Sequence, residues 1–257
     1  MQQTMAFVER VRRSGAHYQQ LSLAISPSLK NIQPGHSFLT PGRNPSFEPY
    51  LLERWWPIHC AENQLVVECP FPYDSPLRPY EPGEALTLLG PVGQPLPFQK
   101  KLRHALLIAE DCPPHPLRLA IDRLLARKAS ITLVLLGTAA HYDRRSLDPR
   151  VEISLGAPRE DDPRHWPEQV LSVGWADQVF ITTAAEGQRA RFAIWLRRFG
   201  ELRNGVPPKY LWGLFTPTWL CGAGACGACE IATSDGLKAS CRQGPALDLT
   251  RCRLEEA

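Results

Sequence analysis

Four cysteines in the last quarter of the sequence constrain this chain more than any other feature. They read Cys221-Gly-Ala-Gly-Ala-Cys226-Gly-Ala-Cys229, with Cys241 following after eleven more residues, a C-x4-C-x2-C-x11-C spacing. Every residue between the first three cysteines is Gly or Ala, so the backbone can fold closely over a metal centre and turn bare amides toward sulfur. The spacing predicts a 2Fe-2S cluster held by Cys221, Cys226, Cys229 and Cys241, because a C-x4-C-x2-C triplet with a distant fourth cysteine suits two bridged irons. Structural zinc is the rival reading, since four thiolates also suit a tetrahedral ion, although zinc ligands commonly come as C-x2-4-C pairs. Gly222 to Gly227 also spells G-x-G-x-x-G. No helical pattern follows it and a cysteine occupies the turn, so it is not read as a dinucleotide fingerprint.

The other four cysteines, Cys60, Cys69, Cys112 and Cys252, stand apart. That distribution favours a metal centre over a disulfide framework. Net charge is only +3 and the basic residues are scattered, which argues against a nucleic-acid partner. The longest apolar stretch, Ile131 to Ala140, falls far short of the ~20 residues that cross a bilayer, and Met1-Gln2-Gln3-Thr4 does not open a signal-peptide pattern. The expectation is a soluble cytoplasmic protein with no membrane role.

A chain of 257 residues with 44% apolar residues has room for two domains and a small appendage. The first hundred residues alternate short apolar runs with turn signals: Gln20 to Ile25, Pro34-Gly35, Gln64 to Cys69, Pro82-Gly83, Ala85 to Leu89. This predicts an antiparallel β-barrel over 1–99. Met5 to Arg13 fits either a strand or a short helix. After Lys100 the rhythm becomes strand, helix, strand, with strands at His104 to Ala109, Ile131 to Leu136, Val151 to Leu155, Gln178 to Thr182 and Tyr210 to Phe215. Leu117, Ala120, Ile121, Leu124 and Leu125 recur at helical spacing, and a second helix is expected from Glu186 to Phe199. The fold class is therefore β plus α/β: a barrel, a parallel-sheet α/β domain over 100–216, and a Cys-rich 2Fe-2S segment over 217–257.

In this order the three parts resemble the electron-transfer subunit of dihydroorotate dehydrogenase, a ferredoxin-reductase-type flavoprotein. The most specific matching element is Leu220 to Cys229 with Cys241-Arg-Gln-Gly-Pro245; weaker matches are Pro34-Gly35, Arg54, Gly83 and Gly90-Pro91-Val92-Gly93. The resemblance implies FAD on the barrel, NAD(H) on the α/β domain, and a cluster that hands electrons to a flavin-containing catalytic subunit in a hetero-oligomer serving pyrimidine biosynthesis. It places Arg54, Trp56, Ile58 and Gly90 at the flavin, with Arg54 for the pyrophosphate. The chain departs from that pattern in three places. Pro57 stands where the flavin motif has a hydroxyl residue, and it supplies neither a hydroxyl nor an N–H. The glycine-rich phosphate turn is replaced by Glu110-Asp111-Cys112-Pro113-Pro114-His115-Pro116, whose carboxylates repel phosphate and whose prolines remove donors. Thr183-Ala184-Ala185-Glu186 replaces the family's Cys-Gly-Pro turn near the nicotinamide. These losses predict weak or absent NAD(P)H binding.

Other residues carry two readings each. Trp55 and Trp56 suit either stacking on an isoalloxazine ring or packing. Arg189, Arg191, Arg197, Arg198 and Arg203 suit either a docking patch or a solvated helix face; Arg144 and Arg145 read as loop charges. Cys112 lies near His115, but catalytic Cys and His meet in space and not by adjacency. Cys60, Cys69 and Cys252 read as small buried groups or plain thiols. The function expected is electron transfer through the cluster between FAD and a flavin-containing partner. The alternatives are a reductase-like scaffold with no FAD or NAD(P)H site and a zinc-stabilised interaction module.

Overall fold

The computed structural model describes residues 1–29, 31–41, 52–61, 63–71, 79–160 and 162–254. Seven strands form the first sheet: β1 (Gln2–Ser14), β2 (Tyr18–Ala24), β3 (Ser37–Pro41), β4 (Leu52–Trp55), β5 (Pro57–Ala61), β6 (Gln64–Pro70) and β7 (Ala85–Val92). Met5 to Arg13 is thus strand throughout. Alternation drives the pairing: β2 buries Gln19, Leu21 and Leu23 and half-exposes the residues between them. The strand order is β4-β3-β7-β1-β2-β6-β5. Its two outermost strands are joined in the chain by Trp56 alone. A flat sheet cannot satisfy that link, so the sheet curls until its edges meet, and the β4–β5 corner becomes the seam of a barrel. Ala6, Leu21, Phe38, Leu65, Val67 and Leu88 fill its interior.

The second sheet is built from β8 (His104–Glu110), β9 (Ser130–Leu136), β10 (Glu152–Leu155), β11 (Gln178–Thr183) and β12 (Leu211–Leu214), with α1 (His115–Ala126) following β8, α2 (Gln169–Trp175) preceding β11 and α3 (Gln188–Arg203) following it. The order β10-β9-β8-β11-β12 is parallel throughout. Strands β8, β9 and β11 are buried on both faces, which is why they read as continuous apolar runs. Leu117, Ala120, Ile121 and Leu124 of α1 cover one face, and Val173, Phe192, Trp195 and Phe199 of α2 and α3 cover the other. The strand order reverses between β8 and β11, the point where open α/β sheets form their ligand crevice.

The remaining chain forms a hairpin of β13 (Glu230–Thr233) and β14 (Gly236–Ala239), the single turn α4 (Ser240–Gln243) and β15 (Ala246–Asp248). Strand β15 pairs antiparallel with β12 and closes that edge of the second sheet, so the Cys-rich segment is woven into the α/β domain. Among the described residues no helix is long and apolar enough to cross a membrane.

Candidate metal centre

Three glycines shape the cysteine loop. Gly222, Gly224 and Gly227 all have left-handed φ, at 64°, 74° and 73°, and a Cβ on Gly222 would stand 2.9 Å from Leu39 Cδ1. The loop therefore curls against β3 and brings its amides round to sulfur. Ala223 N–H donates to Cys221 Sγ at 3.4 Å. With the amides of Cys226 and Ala225 and the Cys226 side chain, that bond holds the Cys221 thiol down at about 6, although burial works in the other direction. Cys241 goes the opposite way, pushed up to about 12 by burial and then by its hydrogen bond to Cys229. Cys221 thus feels Cys226, while Cys241 feels both Cys229 and Cys221. Among the described residues no three His, Cys, Asp or Glu side chains converge as a set for a single metal ion.

The floor of this region is the barrel seam. Cys229 and Cys241 are buried together with Leu39, Trp56, Val92 and Trp219. Gly93 N–H donates to Cys241 O at 3.0 Å, and Ser240 N–H to Cys229 O at 3.0 Å. Trp219 Nε1 donates to Ser240 Oγ at 3.0 Å, locking the indole beside the fourth cysteine. Cys226, by contrast, is exposed, and so is Leu220 beside Cys221. One side of the centre is dry and the other faces solvent.

Arg54, Trp56, Ile58 and Gly90, the residues assigned to a flavin from the sequence, are engaged within the protein. The Arg54 guanidinium lies over the Trp219 ring at 4.3 Å and near the Trp56 ring at 5.3 Å, and its Nη2 donates to Thr216 O at 2.6 Å. Trp56 meets Trp219 edge-on at 6.1 Å. Ile58 is buried, and a Cβ on Gly90 would stand 2.5 Å from Phe38 Cδ1, so this glycine serves close packing. Trp55 packs edge-on against Tyr80 at 5.5 Å. Arg54 Nη1, by contrast, is buried without a hydrogen-bond partner. Trp219, which no sequence pattern singled out, stands over Arg54.

At the switch point the turn after β8 is filled by its own side chains. Glu110 is buried and accepts from Trp195 Nε1 at 2.8 Å, with Arg164 Nε 2.5 Å away as an ion pair. Asp111, in the left-handed region at φ 54°, accepts from Thr138 N–H at 3.2 Å and from Arg191 Nη1 at 2.7 Å. The sequence reading treated both carboxylates as bare repelling charges; they are instead paired with arginines 54 and 80 residues further along the chain. Cys112 lies 3.8 Å from Thr182 Oγ1, and burial pushes its thiol up to about 12 with help from Glu110 and Asp111, which leaves no activated nucleophile. His115 turns away from it, to Glu68 in the barrel. Three further arginines of α3 make internal ties, Arg189 donating to Glu230 O, Arg203 to Val173 O, and Arg198 pairing with Asp162, while Arg197 is exposed. They serve internal ties more than a docking patch.

A cavity of about 380 Å³ opens beside Cys229, lined by Gly187, Gln188, Phe215, Pro217 and Ile231. A larger one, about 600 Å³, lies at the opposite edge of the sheet between β10 and α2, remote from the cysteines.

No family model matches the chain, and no curated protein matches it either. Solved structures do. The NADH-dependent reduced ferredoxin-NADP oxidoreductase described for flavin-based electron bifurcation superposes with a TM-score of 0.69 at 13% identity, over 97% of this chain and 90% of that one. The ferredoxin reductase of carbazole 1,9a-dioxygenase gives 0.58 at 14% identity, over 82% of this chain and 68% of that one. The flavohem-like FAD/NAD-binding domain of nitric oxide dioxygenase from Vibrio cholerae O1 biovar El Tor gives 0.59 at 12%, over 82% and 97%. A match over 97% of the chain necessarily takes in most of the Cys-rich segment. Barrel, parallel sheet and strand order together give this chain the ferredoxin-reductase-like fold.

Proposed function

We propose that this chain is an electron-transfer subunit whose four cysteines, Cys221, Cys226, Cys229 and Cys241, hold a 2Fe-2S cluster that exchanges single electrons with a flavin-containing partner, as in the dihydroorotate dehydrogenase electron-transfer component. The observation that carries the reading is the C-x4-C-x2-C-x11-C spacing on a glycine-bent loop whose Ala223 N–H donates to Cys221 Sγ, with Cys229 and Cys241 buried together against the barrel. When bound, the cluster supplies the redox chemistry. The chain supplies thiolates, amide hydrogen bonds, a dry floor of Trp56 and Trp219, and one exposed side at Cys226 for a partner to approach.

FAD belongs to this reading through the fold, since one structural neighbour is named as an FAD/NAD-binding domain. In this chain Arg54, Trp56, Ile58 and Gly90 are packed against other protein groups, although Arg54 Nη1 keeps no hydrogen-bond partner. That engagement favours a second reading, in which the barrel is a scaffold without flavin and the cluster alone relays electrons. Anaerobic purification followed by absorption from 300 to 700 nm, with iron, sulfide, zinc and flavin quantified on one sample, separates the two. Iron and sulfide with a charge-transfer envelope are expected. Flavin on the same sample supports the first reading, its absence the second, and zinc without iron overturns both.

A further inference from the structure

The parallel sheet is closed at one side and open at the other. Strand β15 covers the β12 edge, whereas among the described residues no strand pairs with the outer edge of β10. That edge reads Glu152-Ile153-Ser154-Leu155, in unbroken register with β9 on its inner side, and it carries neither Lys nor Pro, which commonly blunt an edge against pairing. Beside it lies the cavity of about 600 Å³, floored by Leu106, Thr132 and Ser154 and walled by Trp166, Leu171 and Trp175. Helix α2 stands inward of the edge, because Val173 and Ala176 pack with Leu106 of β8 and Val179 of β11. On this face β9 and β10 therefore form an uncovered groove. Leu171 and Trp175, one helical turn apart, look across it with 54% and 72% of their surface exposed, and Val170 beside them is 66% exposed.

We propose that a second copy of this chain covers the groove, its β10 pairing antiparallel with this one about a two-fold axis normal to the sheet. An axis in that direction keeps both grooves on one face, so they merge into a single trough over two β9 and two β10 strands, walled by α2 at each side. With strands about 4.8 Å apart, the two α2 helices, each over its own β8, lie roughly 24 Å from one another, a span that Trp175 and Leu171 reaching in from both sides close. The pairing is also sound in charge. Glu152 is the only charged residue of β10, its carboxylate already accepts from Thr132 Oγ1 at 2.8 Å, and pairing centred on Ile153 and Ser154 carries the two copies of it to opposite ends. A knob and a groove side by side on one surface favour a second copy over an unrelated partner, because the same two-fold seats both knobs at once. Trp175, Leu171 and Val170 leave apolar surface on the order of several hundred Å², and the strand edge and groove walls extend it toward the ~800 Å² per partner of a stable interface. The joint is remote from the cysteines and does not depend on what they hold.

The test is sedimentation of the full chain over a micromolar concentration series, with hydrogen–deuterium exchange at both ends of the series, on wild type, Trp175→Glu, Leu171→Glu and the distant surface control Leu237→Glu. Wild type is expected to show a monomer–dimer equilibrium, with the amides of 152–155 exchanging more slowly as the dimer fills. Trp175→Glu puts a carboxylate into the trough and is expected to raise the dissociation constant roughly tenfold or more. Leu171→Glu is expected to act in the same direction, and Leu237→Glu, 64% exposed on β14 before substitution, to leave the equilibrium unchanged. Circular dichroism checks that each variant is folded, and if Trp175→Glu is not, Leu171→Glu carries the test. A wild type that stays monomeric throughout overturns the proposal. So does a dimer that the groove variants leave intact, or one whose β10 amides exchange equally fast at both concentrations, since either moves the interface elsewhere. A monomer that associates only with a flavin-containing protein, and loses that association in Trp175→Glu, assigns the groove to that partner and overturns the second copy.

Discussion

Glu68 shows how much one buried carboxylate can hold. It accepts from Tyr142 O–H at 2.7 Å and stands 2.6 Å from His115 Nε2, and Arg118 Nη1 donates to the same tyrosine oxygen at 2.6 Å. Burial works to raise its pKa, but the hydrogen bond and charge of His115, with bonds from Ser14 and Tyr142, prevail and bring it down to about 2 from 4.5. A depressed carboxylate pKa gives stability that is complete above about pH 4.5 and lost as pH falls toward 2. The shift corresponds to about 3 kcal/mol. Glu68→Gln is expected to lose a comparable amount at pH 7 and to show a flatter fall in denaturation midpoint than wild type from pH 5 to pH 3; parallel curves would contradict the assignment. Gly222 makes a second prediction at this scale. Gly222→Ala forces a Cβ onto Leu39 in a left-handed backbone, at about 1–3 kcal/mol. Iron per chain, measured after gel filtration, is expected to fall. Neither site was fully legible in the sequence. The cysteine spacing is local and could be read. Glu68 and His115 lie 47 residues apart, and Arg54 and Thr216 162 apart, so only folding brings them together.

The turn from β8 into α1 decides whether the parallel sheet takes a dinucleotide. Pro113, Pro114 and Pro116 provide no N–H there, and Asp111 accepts from the Thr138 amide. Titration calorimetry with NADH and NADPH reads whether this turn, in a fold shared with an FAD/NAD-binding domain, takes a dinucleotide. Micromolar binding would show that the turn rearranges. The same turn shows where sequence reading succeeds and where it stops. Missing glycine and added proline are visible in the sequence, but the arginine partners of Glu110 and Asp111 come from distant segments. Strands β8, β9 and β11 were legible because burial on both faces demands continuous apolar runs. The helix α2, the β13–β14 hairpin and β15 were not, since each is short and owes its conformation to packing rather than to propensity.

Across the whole molecule the Cys-rich segment adds a second tie between the two sheets, beside the one that Glu68 makes with His115 and Tyr142. Its β15 closes the α/β edge, and its Trp219, Cys229 and Cys241 cover the barrel seam. Removing iron with a chelator under reducing conditions is expected to lower the melting temperature of the whole chain, because metal-binding free energy is folding free energy where the ligands come from a loop. An unchanged melting curve in iron-depleted protein would show the loop to be held by packing alone. The single-residue link between β4 and β5 also sets an order of events in time. Until all seven strands have paired and curled, Trp56 has no fixed place, and the surface that receives Cys229 and Cys241 does not exist. The cysteines follow the barrel in the chain, so during synthesis they emerge after the part of the protein that must be ready for them.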